Sequence, residues 1–258
     1  MDALLPYISI VIGFFAGFIN VFAGGGSLLT LPLLIFMGLP ANVANGTNRI
    51  ALIMQNIVAT GSFKQQKVLN FKQTIYLIIP ACVGAIIGAL VAVKINEEIL
   101  ELTIGILLAI MFVFILFKPE KWLIKPDEKI VVKPSFIQVV IFFVIGLYGG
   151  FIQAGIGFFL IAALVMIVGV DLVKANALKL FIVLIYTLLA FLIFVFNDQV
   201  DYKIGFTLAI GNMLGAFVAS RIAVKRGPKL VRYILLFALV ISASKLLGLF
   251  DWIFSTVI

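Results

Sequence analysis

"NVFAGGGSLLTLP", running from Asn20 to Pro32, is the stretch on which the reading turns. Three consecutive glycines, Gly24, Gly25 and Gly26, interrupt an apolar run that otherwise has the makings of a membrane span. In lipid, a broken backbone leaves amide and carbonyl groups without partners, at a cost of several kcal/mol per group. Such a break survives only where it is buried in protein or lines a cavity. The apolar segment after the break is about 12 residues long. At ~1.5 Å of rise per residue it is too short to cross ~30 Å of hydrocarbon as a helix.

The composition around this stretch is that of a membrane protein. Of 258 residues, 64% are hydrophobic and 12% charged, and the mean hydropathy is +1.28. A water-soluble fold has no way to hide so much apolar surface, so the chain is read as an all-α polytopic membrane protein. The N-terminal "MDALLPYIS" begins acidic and runs directly into the first span, so no cleavable signal is expected. Cys82 is the sole cysteine and there is no histidine. An internal disulfide and a transition-metal site are therefore not expected, and neither is any cofactor.

The break recurs. "GFFAGFINVFAGGG" from Gly13 aligns with "GLYGGFIQAGIG" from Gly146: Gly13, Gly17, Phe18 and Ile19 fall on Gly146, Gly150, Phe151 and Ile152. Past a two-residue gap, a constant offset of 131 pairs Gly38 with Gly169, Ala44-Asn45 with Ala175-Asn176, and Gly84-Ala85 with Gly215-Ala216. The chain divides into repeat 1 (1–117), a charged linker (118–134) and repeat 2 (135–258). Apolar segments are expected near 4–22, 27–38, 43–62, 73–93 and 99–117, and again near 136–153, 157–169, 174–196, 203–224 and 230–250.

Charge sets the expected topology. Thirteen of the 19 basic residues lie in three stretches: Lys64 to Lys72, the linker, and Arg221 to Arg232. By the positive-inside rule these face the cytoplasm, while "KINEEILE" and "NDQVDYK" face outward. Glu98 and Glu101 correspond to Lys229 and Arg232, so equivalent loops lie on opposite sides. The expected architecture is two inverted-topology repeats, each with a broken, re-entrant first helix pair and three spans. That makes about 8–10 membrane segments in all, with both termini outside.

Inverted repeats with matched broken helices are the mark of a secondary transporter. The short helices beginning near Ser27 and Phe158 would present unpaired amides and a partial positive charge near mid-membrane, which suits an anion. "AGGGS" (through Gly24, Gly25, Gly26 and Ser27) and "AGIGF" (through Gly155, Ile156 and Gly157) are therefore candidate cradles. Gly13, Gly17, Gly84 and Gly88 are read as close-packing glycines. The third segments add a polar stripe, Asn45, Asn48 and Gln55 in one repeat matching Asn176, Lys179 and Tyr186 in the other, with Thr47 and Arg49 as further candidates beside it. Arg49 and Lys179 lie inside apolar spans with no acidic neighbour within a turn, and a bound anion would neutralise them. Snorkelling to the interface is the competing reading. Asn212 is a weaker lining candidate, with helix–helix hydrogen bonding as its alternative. All acidic residues fall in loops or at span ends, so no buried carboxylate is available for cation coupling. Facilitated export, or proton coupling through Lys179 or the anion itself, stay open.

"GFFAGFINVFAGGGSLLTLPLLIFMGLPANVANGTNRI" and "GLYGGFIQAGIGFFLIAALVMIVGVDLVKANALKL" resemble the sulfite exporter TauE/SafE family over essentially the whole chain. The marks are a glycine loop followed by a proline, Gly46-Thr47, and Ala175, Asn176 and Lys179. The resemblance implies transport of small sulfur-containing or organic anions, such as sulfite or sulfonates like sulfoacetate, across the bacterial cytoplasmic membrane. The expected partners are that anion and the bilayer, with a homodimer as a further option and no nucleic acid. An anion channel with the same lining is the alternative. An enzyme is not expected, because no acid–base pair or metal cluster is present to do chemistry.

Overall fold

The computed structural model describes residues 5–68, 75–100, 102–106 and 135–246, with side chains described as far as Val224. Among the described residues the main helices are α1 (Leu5–Ala23), α2 (Ser27–Phe36), α3 (Ala41–Gln65), α4 (Ile75–Ala92), α5 (Phe136–Phe151), α6 (Ile156–Met166), α7 (Leu172–Phe196) and α8 (Tyr202–Leu246). The linker, Lys72 and most of the 99–117 segment lie outside the described residues. The segments expected at 203–224 and 230–250 run as the single 45-residue helix α8. The basic run from Arg221 to Arg232 contains Gly227 and Pro228 but does not end the helix.

The glycine breaks are present in both halves. Helix α1 ends at Ala23 and α2 restarts at Ser27; α5 ends at Phe151 and α6 restarts at Ile156. At 10 and 11 residues, α2 and α6 are each long enough for about half a bilayer. Three described helical stretches are long and apolar enough to cross one: Ile75–Ala92, Leu172–Phe196 and Tyr202–Val224.

Two crossings frame the bundle. Helix α1 packs along α8, and α4 along α5. Both crossings rest on small residues. A Cβ added to Gly17 would strike the Asn212 backbone, and one on Gly215 would strike the Phe14 carbonyl. In the other pair, Gly84 and Gly150 face the Phe143 and Ala85 backbones in the same way. Without water to drive helices together in lipid, close backbone packing supplies the attraction. The packing role expected of Gly13, Gly17, Gly84 and Gly88 is what they perform. Asn212 sits in the α1–α8 crossing, against Gly13 and Gly17.

Helices α3 and α7, 25 residues each, form the centre. They run antiparallel: Gly46, near the start of α3, abuts Phe194 and Gln199 at the end of α7. Helix α3 is the more polar of the two, yet Asn45, Thr47, Asn48, Arg49, Gln55, Asn56 and Thr60 are all buried. The outside is apolar instead. Val11 and Phe15 of α1, Ile79 and Val83 of α4, Val140 and Val144 of α5, and Phe206 and Ile210 of α8 are exposed. An apolar rind around a polar central helix suits a solvent of lipid, not water.

Candidate functional site

The two glycine breaks meet. Gly24 and Gly157 are in backbone contact, so that a Cβ on either would strike the Cα of the other. Gly24 has φ +74° and Gly155 has φ +70°, left-handed values that favour glycine. Gln153 adopts φ +66° without being glycine, a strained backbone of the kind found where function demands it. After each break the helix restarts with short bonds: Leu28 N to Gly25 O at 3.0 Å and Phe158 N to Gly155 O at 3.1 Å. The first amide of α6, Ile156 N, donates to Gln153 O at 3.4 Å, and the other opening amides of a helix have no carbonyl one turn back within it to bond.

A cavity opens beside this contact, lined by Asn20, Gly24, Ser27, Leu52, Asn56, Gln153, Ile156, Gly157, Lys179, Leu180 and Val183. It has room for roughly one water. The Lys179 ammonium is buried at its edge and is the lining's only charge. Its three N–H groups donate to Asn20 O (2.9 Å), Val21 O (2.9 Å) and Asn176 Oδ1 (2.8 Å). It thus holds the last carbonyls of α1, at the negative end of that helix.

Arg49 does the corresponding work on the other half. Its guanidinium is fully buried, donates to Gly149 O at 3.4 Å and Gly150 O at 2.5 Å, and lies 4.5 Å over the Phe194 ring. Neither cation snorkels. Each comes from the central helix of one half and ties down the end of the first helix of the other.

Of the residues singled out from the sequence, Gly24, Ser27, Ile156, Gly157 and Lys179 come together on the cavity. Gly25, Gly26 and Gly155 shape the turns beside it, and Asn176 reaches it through Lys179. Asn45, Thr47, Asn48 and Arg49 do not line it. Asn45 donates to Phe151 O (2.6 Å), Asn48 accepts from Thr30 Oγ1 (2.7 Å), and Thr47 accepts from the Asp201 amide (2.8 Å). The polar side chains that sequence reading missed are Asn20, Asn56 and Gln153. Asn56 follows the noticed Gln55 by one position. Asn20 and Gln153 occupy matching places before the two breaks, and that pairing of amides was a legible signal. Among the described residues no group of three metal-ligating side chains gathers.

Comparison with known proteins agrees with this architecture. The family model described as "Sulfite exporter TauE/SafE" matches residues 9–246. A "Probable membrane transporter protein ORF9" from Sinorhizobium is 30% identical over 92% of this chain and 90% of its own length. A "Probable membrane transporter protein" from Haemophilus influenzae is 28% identical over 90% and 91% of the two chains. "Probable membrane transporter protein YjnA" of Bacillus subtilis is 27% identical over 92% and 98%. No solved structure matches the chain.

Proposed function

We infer a mechanism from one premise: the chain belongs to the sulfite exporter TauE/SafE family of membrane transporters. We propose that it is a secondary carrier of small sulfur-containing or organic anions, sulfite and sulfonates first among them, across the bacterial inner membrane. The observation that carries this reading is the meeting of the two glycine breaks beside a buried ammonium. That junction brings two helix starts, Ser27 and Asn56 around one cavity with no carboxylate in its lining. Donors and one positive charge, screened from water, suit an anion.

A carrier accounts for the geometry better than a channel does. With room for about one water, the cavity admits sulfite only if the packing around Gly24 and Gly157 opens. A site that must rearrange to load fits alternating access. Two further features support the two repeats, 1–117 and 135–258, as an inverted pair. The α1–α8 and α5–α4 crossings correspond under the sequence offset, and the equivalent helices α3 and α7 run antiparallel.

The test is counterflow in proteoliposomes. Vesicles preloaded with unlabelled sulfite should accumulate labelled sulfite or sulfonate saturably, with flux accelerated by substrate on the far side. Unitary currents in a planar bilayer would instead make it a channel.

A further inference from the structure

We propose that the cavity is matched to a singly charged oxyanion, and that Asn56 holds it directly while Lys179 acts only through its field. This rests on the transport reading above and narrows its substrate class.

Donor counting comes first. An ammonium has three N–H bonds, and those of Lys179 are all committed to protein acceptors at 2.8–2.9 Å. None is left for a ligand. Asn56 is in the opposite condition. It is 1% exposed and lines the cavity. Its Oδ1 accepts from Gln55 Nε2 at 3.3 Å, while its Nδ2 is buried without a partner. A buried amide donor left unmade costs about 1–3 kcal/mol, which an oxyanion in the cavity would recover. Ser27 brings a hydroxyl to the same cavity at the start of α2.

Charge counting follows. The lining carries one full charge, the Lys179 ammonium, and no acidic side chain. At the first break the partial negative end of α1 faces the partial positive start of α2, and α5 and α6 meet in the same way. To first order these helix ends offset each other, leaving close to a single positive charge. One negative charge balances it. A second would lie uncompensated in a dry, low-dielectric site, where unpaired charge is heavily penalised.

Methanesulfonate and sulfate test this directly, since both are tetrahedral at sulfur and differ by one charge. Binding to the purified full chain in nanodiscs, by calorimetry, should favour methanesulfonate by about tenfold or more. Asn56→Leu should weaken methanesulfonate binding by a similar factor while its helical circular dichroism is unchanged. Equal or tighter binding of sulfate overturns the single-charge match and leaves anion transport standing. Unaltered methanesulfonate affinity in a folded Asn56→Leu protein overturns the role of Asn56. If methanesulfonate, hydrogensulfite and sulfate all fail to bind, the transport reading falls as well.

Discussion

Lys179 donates to one side-chain oxygen and two backbone carbonyls, of which Asn20 O also accepts from the Gly24 amide at 2.8 Å. Replacing it with methionine keeps the length of the stem but takes the ammonium donor from Val21 O and Asn176 Oδ1, and leaves Asn20 O with the Gly24 amide alone. Each loss costs about 1–3 kcal/mol unless water replaces the ammonium. We expect Lys179→Met to lower the thermal stability of the purified protein and to abolish sulfite uptake in proteoliposomes. Wild-type flux in this variant would remove the ammonium from the mechanism. Glycine supplies a sharper comparison. Gly24 and Gly38 both have left-handed φ, +74° and +90°, but Gly24 touches Gly157 whereas a Cβ on Gly38 would meet open space. Gly38→Ala should cost only the backbone penalty of about 1–2 kcal/mol and retain transport. Gly24→Ala adds a backbone collision, so it should cost more than about 3 kcal/mol and lose transport. Thermal unfolding followed with uptake distinguishes them, and equal losses would mean that the contact between breaks is unimportant.

At the scale of elements, Arg49 shows why the central helices were only partly legible. The sequence places a cation inside an apolar span, and physics says that such a charge has a partner. It does not say which. The partners are carbonyls of Gly149 and Gly150, about 100 positions away and carried by backbone, which no side-chain pattern announces. Lys179 was legible as a buried cation for the same reason and was read as awaiting an anion. Its acceptors at Asn20 and Val21 are carbonyls of the last turn of α1, whose end is set by the glycine break. Broken helices, short α2 and α6, and the close-packing glycines were legible because length, positive φ and small size are local properties. The merging of 203–224 with 230–250 into α8 was not, since the basic run from Arg221 to Arg232 reads as a cytoplasmic loop between two spans. Arg49 also yields a test of element coupling. Its planar fork reaches two carbonyls while stacking on Phe194, a combination a lysine ammonium lacks. Arg49→Lys should therefore destabilise the protein by about 1–3 kcal/mol in thermal unfolding. An unchanged melting temperature would show that the α3–α5 tie carries no load.

Over the whole molecule, the paired crossings and antiparallel centre make a claim about sidedness. Helices α3 and α7 correspond in the two repeats, and each ends in an exposed polar residue, Lys64 near the end of α3 and Asn197 just past α7. Because Gly46 at the start of α3 meets Phe194 and Gln199 at the end of α7, those two ends lie at opposite extremes of the bundle. Basic residues beside Lys64 favour the cytoplasm, whereas Asn197 leads into the acidic "NDQVDYK". Single cysteines at these positions, in a Cys82→Ser background, should react with a membrane-impermeant maleimide from opposite sides. Lys64→Cys should label only after the cells are permeabilised, and Asn197→Cys in intact cells. Labelling of both from one face would contradict the antiparallel centre. Labelling from opposite faces in the reverse sense would keep the fold and invert its orientation.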